Sequence, residues 1–259
     1  MTQSTLPLDQ RFPSRFLAIA GACALRVALH VLPYATSVAL ALEFSSRLRG
    51  AIAWRFPVDV LAFALMLVGV MLGAQVAASR RMHERDEDVA PTRAQLASAG
   101  FLALEALLMG AVLGVAVLAA FGAIDIALAF IDHGDGEPWR RFAARMVITG
   151  GALAVMVVHL AAATAFAPAV AGNRATLSEA IALLFDRAGA STLVLMVAIV
   201  AGTATVIGAT TLISVALGPV NYDAHLVALL IDTMGAKALG LTVVATTLAI
   251  GATALTERA

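Results

Sequence analysis

Long uncharged apolar runs, broken by short charged clusters, constrain this chain more than any other feature. A hydrocarbon core of roughly 30 Å asks for about 20 apolar residues per spanning helix. Windows 60–79, 106–124, 146–173, 188–222 and 238–256 hold no charged residue, and a sixth, 16–42, is interrupted only by Arg26. The sequence therefore predicts an all-α, polytopic transmembrane bundle. Its spans lie near 16–42, 58–79, 98–124, 145–170, 190–216 and 236–256, in one integral membrane domain. Only helices satisfy every backbone hydrogen bond within one lipid-exposed segment.

Charged residues make up 13% of the chain, about half of the roughly 25% usual in soluble domains, so a soluble core is excluded. The 17 basic residues balance 17 acidic ones, which gives no whole-chain attraction for nucleic acid. Only Lys237 among the basic residues is a lysine, and Ala, Val, Leu and Gly dominate, the composition of a GC-rich bacterial gene. Cys23 is the single cysteine, so no intrachain disulfide or thiolate metal cluster forms. Arg11 and Arg15 precede the first apolar run, which is too long for a signal-peptide core and reads as a retained anchor helix.

With the N-terminus inside, the inner segments carry Arg11, Arg15, Arg80, Arg81, Arg85, Arg93, Arg174, Arg187 and Arg258, nine in all, against six outside, Arg47, Arg49, Arg55, Arg140, Arg141 and Arg145. Positive charge favours the cytoplasmic side, so the expected location is the bacterial inner membrane with both termini cytoplasmic. Thr92-Arg93-Ala94-Gln95 and Thr176-Leu177-Ser178-Glu179 both have capping-box form, 84 residues apart, and each leads into an apolar stretch. After the second, Leu177, Ile181, Leu184 and Phe185 share one helical face, as in a short amphipathic helix at the interface. A second interfacial or re-entrant helix is expected over Asp223 to Met234. The third span, which extends toward Ile131, calls for tilt or a break near Gly122.

The run Phe166-Ala167-Pro168-Ala169-Val170, followed by Leu177-Ser178-Glu179-Ala180-Ile181 and Phe185, resembles uncharacterised six-helix bacterial inner-membrane proteins related to the membrane domain of glycerophosphodiester phosphodiesterases. Val31-Leu32-Pro33 in the first span and Arg80-Arg81 ahead of Thr92 fit the same layout. The resemblance implies a six-helix membrane fold without an assigned activity, and the soluble phosphodiesterase domain has no counterpart here.

Ionisable residues inside apolar spans are costly unless paired or wetted, and four stand out: Arg26, His30, Glu105 and His159. Arg26 and His30, four apart, share a helix face. Counting from Phe16 at about 1.5 Å per residue places Arg26 roughly 15 Å deep and His30 roughly 21 Å. Glu105 comes out about 12 Å deep, and His159 roughly 9 Å above the inner boundary. One reading joins Arg26, Glu105 and His159 in an inner-leaflet site for an anionic ligand or proton relay. The other is an Arg26–Glu105 ion pair that fixes helix register. No cofactor is expected. A b-type haem on His30 or His159 is the alternative, opposed by their depth difference of roughly 12 Å.

Gly69 and Gly73, and Gly110 and Gly114, form Gly-x-x-x-Gly pairs that read as helix-packing positions. Thr203, Thr210 and Ser214, then Thr242, Thr246 and Thr253, either line a hydrated path or bond to helix carbonyls. Asp132-His133-Gly134-Asp135-Gly136-Glu137 is an acidic turn without a complete Ca²⁺ or Zn²⁺ ligand pattern. No catalytic motif is present, so a non-enzyme is expected. Its first reading is a subunit or accessory of a membrane complex, embedded in lipid with a membrane-protein partner or a second copy. The alternative is a small-solute or lipid transporter or permease component with an intramembrane polar site. A membrane enzyme using Glu105 and His159 as acid and base ranks third.

Overall fold

A computed structural model of the chain describes residues 8–47, 52–79, 93–130, 136–170, 175–217 and 234–256. Among these, seven helices occur: α1 (Leu8–Arg47), α2 (Ile52–Ser79), α3 (Arg93–Phe130), α4 (Gly136–Val170), α5 (Leu177–Asp186), α6 (Ala188–Leu217) and α7 (Ala236–Thr256). All but α5 are long and apolar enough to cross a membrane, over Arg11–Ser46, Phe56–Ser79, Ala97–Ile124, Trp139–Val170, Ala188–Ile213 and Ala236–Thr256. The protein is a multi-span integral membrane protein, and the six-span expectation holds.

α7 is the central helix. Of its most apolar stretch, 78% is buried, because Ala, Gly and Thr dominate it and small side chains let α1, α2, α4 and α6 all approach. A Cβ on Gly240 would meet Val206 and stand 3.2 Å from the Gly202 carbonyl, while one on Gly251 would meet Val194. These pairs run in opposite senses along α6 and α7, so the two are antiparallel. The Gly-x-x-x-Gly pairs also act in packing. Gly69 receives Tyr34 and Gly73 receives Val27 and Val31 of α1, while Gly110 and Gly114 receive Phe63 and Phe56 of α2.

α3 and α4 form an antiparallel hairpin in which α4 packs against α2 and α7 and α3 lies at the periphery. None of the most apolar stretch of α3 is buried, and Phe101, Leu104, Leu108, Val112, Val115 and Leu118 project outward, a surface suited to lipid. Its helix is unbroken through Gly122, so the expected break is absent. In lipid, leaving the helical ladder unpaired costs more than a glycine's propensity penalty. The 28-residue span of α3 is about 42 Å long and exceeds the hydrocarbon thickness, which leaves tilt or overhang as the accommodation.

The capping box at Thr176 is present in both directions. Thr176 N–H donates to Glu179 Oε2 at 3.1 Å and Glu179 N–H donates to Thr176 Oγ1 at 3.3 Å. Leu177, Ala180 and Leu184 turn inward, but Phe185 is 74% exposed. The expected face thus shifts: an offset of one residue turns Phe185 about 100° away from Leu184, toward the bilayer. Thr92, Asp132 to Asp135 and Asp223 to Thr233 lie outside the described residues, and with them the first capping box, most of the acidic turn and the second interfacial helix.

Candidate functional site

The chemistry-bearing residue that the fold buries most completely is His159. It lies on α4 and is 2% exposed. Its Nδ1 donates to the Val155 carbonyl one turn back at 2.7 Å. The carbonyl cannot donate, so Nδ1 carries the hydrogen and neutral imidazole presents Nε2 as an acceptor. Nε2 is buried and has no hydrogen-bond partner. The Phe63 side chain meets the imidazole edge-on, with centroids 4.6 Å apart and planes at 65°. Phe63 reaches that position because Gly110 leaves room for its ring.

His159 lines a cleft of about 500 Å³ walled by five helices, within the size range of small-molecule sites. Val38 and Leu42 of α1, Leu241, Val244 and Leu248 of α7, and the small residues Gly110, Ala111 and Ala152 of the hairpin build its apolar walls. Small side chains that elsewhere let helices close here leave volume unfilled. The second polar lining residue is Asp59, half-buried on α2. Ser45 Oγ donates to its Oδ1 at 2.6 Å. Asp59 precedes Phe63 by one helical turn, about 6 Å along α2. Near the same end, Lys237 of α7 pairs with Glu43 of α1 at 2.8 Å. The cavity therefore has a carboxylate toward that end and an imidazole inside it, separated by apolar wall.

The four sequence candidates do not converge. Glu105 Oε2 accepts from the Leu177 N–H at 3.1 Å, so this carboxylate satisfies an orphan donor and complements the positive end of α5. Arg26 and His30 are exposed on the outer face of α1, with His30 Nδ1 donating to the Arg26 carbonyl at 2.8 Å. No ion pair joins Arg26 to Glu105 among the described residues. Val27 and Val31 flank Gly73, which stands about 9 Å before the end of α2 at Ser79. Arg26 thus lies toward the end of the bundle that carries α5, where the first turns of α1 run on past the end of α2. His30 on the outer surface and His159 in the interior do not face one another, and no metal-ligand cluster occurs among the described residues.

No protein family, curated protein or solved structure matches the chain. Sequence reasoning passed over Asp59, although an acid inside the predicted span 58–79 was the available signal. Of the hydroxyls on α7, Thr242 donates to the Ala238 carbonyl at 2.7 Å and Thr253 to the Ala249 carbonyl at 3.0 Å. Thr246 Oγ1 is buried without a partner.

Proposed function

We propose that this protein is a permease or carrier component for small apolar or lipid-like solutes, with the α1–α2–α3–α4–α7 cavity as its binding site and no catalytic role. One observation supports the reading above others: a cavity of about 500 Å³ reaches His159, whose Nε2 is buried and unpartnered. Packing alone would favour a filled site with satisfied polar atoms, whereas a binding site is concave, mostly apolar and supplied with a few polar groups. The nine-to-six arginine count supports the bacterial inner membrane with both ends of the described chain facing the cytoplasm. A kinship with the six-helix membrane domain found beside phosphodiesterases belongs to the same proposal and adds no activity.

The test uses protein purified from host membranes into lipid nanodiscs, with native mass spectrometry of co-bound small molecules. Wild-type protein is expected to retain a low-mass ligand that a cavity-filling Ala152→Trp variant loses. An empty wild-type cavity with a stoichiometric partner chain would instead support the second reading, a subunit of a larger membrane assembly. That reading draws on the exposed apolar face of α3.

A further inference from the structure

The fold turns Arg26 and His30 toward the surrounding lipid rather than into the bundle, and their depth follows from the contacts at Gly73. A Cβ there would stand 3.0 Å from Val31 and 3.2 Å from Val27 of α1, and 3.1 Å from Ala249 of α7. α7 runs from Ala236 to Thr256, about 30 Å, which matches the hydrocarbon thickness, so its two ends mark the membrane boundaries. Ala249 stands about 10 Å inside the Thr256 end. With Val27 and Val31 at that level, Arg26 lies about 6 Å inside the same boundary and His30 about 12 Å inside it, near the bilayer centre. Both are exposed. His30 Nδ1 donates to the Arg26 carbonyl, and among the described residues the Arg26 guanidinium has no ion-pair or hydrogen-bond partner.

We propose that the outward face of α1 docks one transmembrane helix of a different protein, and that an aspartate or glutamate of that helix pairs with Arg26. A guanidinium stays charged at any depth, and a charge within a span is costly until it is paired or wetted. A lipid phosphate could receive the long Arg26 side chain by snorkelling. It cannot reach His30, which is deeper, shorter and tied to the Arg26 carbonyl. A second copy of this chain, in the same orientation about a two-fold axis, would set Arg26 against its own counterpart at equal depth, like charge facing like. Ala18, Ala22, Leu25 and Leu29 recur at helical spacing and form one exposed stripe, with Arg26 at its edge. Toward the α5 end this stripe is built of small residues, and a Cβ on the adjoining Gly21 meets nothing within 4 Å, which lets a foreign helix approach closely. Arg26 and His30 take no part in lining the cleft, so this surface stands independently of what the cleft binds.

The test places the photo-crosslinker p-benzoylphenylalanine at Leu29 of the full chain, irradiates host membranes and maps the adduct by mass spectrometry. The same label at Leu108, on the lipid-facing side of α3, serves as the comparison. The Leu29 label is expected to give one adduct with a different chain, attached within a transmembrane helix that carries an Asp or Glu, and the Leu108 label none with that chain. Arg26→Leu should lower the adduct yield by at least about tenfold, a modest share of the cost of an unpaired intramembrane charge, with Tm unchanged in detergent. Arg26→Glu should abolish the adduct, and Lys in place of the partner's acid should restore it, a rescue that a purely structural role for Arg26 would not produce. An adduct with a second copy of this chain, or with lipid alone, overturns the proposal. So does a partner helix without an acid, an equal yield from Leu108, a yield unchanged in Arg26→Leu, or failure of the charge exchange to restore it.

Discussion

At His159 a buried acceptor is left without a partner, a condition that costs about 1–3 kcal/mol. Replacement by an apolar ring of similar volume removes that cost. His159→Phe is therefore expected to match or exceed wild-type thermal stability in nanodiscs, and a clear fall in Tm would mean that the imidazole is structural. Glu105 has the opposite character. Its carboxylate holds the first N–H of α5, so Glu105→Ala should lose about 1–3 kcal/mol and speed hydrogen exchange at Leu177 and its neighbours. Arg26→Ala, on an exposed face, should change stability by no more than about 0.5 kcal/mol and leave cavity binding unaltered. His159 was legible as an ionisable group in an apolar run. The direction of Arg26 was not, since periodicity groups it with His30 without saying which side of α1 faces the bundle. Nor was the partner of Glu105, which is 72 residues away in sequence.

Helices in this protein are joined by their smallest residues, and glycine substitutions separate the close crossings from the open ones. At Gly240 a Cβ would meet Val206 and approach the Gly202 carbonyl at 3.2 Å. Gly240→Ala should therefore force α6 and α7 apart and lower stability by about 1–3 kcal/mol. A Cβ at Gly122 or Gly150 meets nothing within 4 Å. There alanine should be neutral or stabilise by up to about 1 kcal/mol through helix propensity, and thermal melts of the three variants check the contrast. At this scale the start of α5 was readable from Thr176 and Glu179, because a capping box is a local device. Which of its residues face inward was decided by the surface of α4 and α3 beneath it. The same Gly-x-x-x-Gly spacing in α2 and α3 did not reveal that one pair would seat Tyr34, Val27 and Val31 of α1 and the other Phe63 and Phe56 of α2.

For the whole molecule, alternating spans place Leu8 and Thr256 at one end of the bundle, with Ser45, Asp59 and Lys237 at the other. Single cysteines in a Cys23→Ala background test this arrangement. Membrane-impermeant maleimide should label Ser14→Cys and Ala188→Cys from one side and Ser46→Cys from the other. In intact cells only Ser46→Cys should react if the arginine-rich side is cytoplasmic. The sequence by itself determined the solvent of this protein, the number of its spans and the candidacy of His159. Those properties follow from apolar length and from the cost of an ionisable group in hydrocarbon, both of which are local sums along the chain. Tertiary structure alone decided that α7 is central and that Asp59 shares a cavity with His159, while Glu105 caps α5 and Arg26 faces outward. Those outcomes depend on how helix faces are rotated against one another. In a chain this rich in Ala, Gly, Val and Leu most faces are equally apolar, so periodicity carries little rotational information, and the fit between small residues and their neighbours settles the choice.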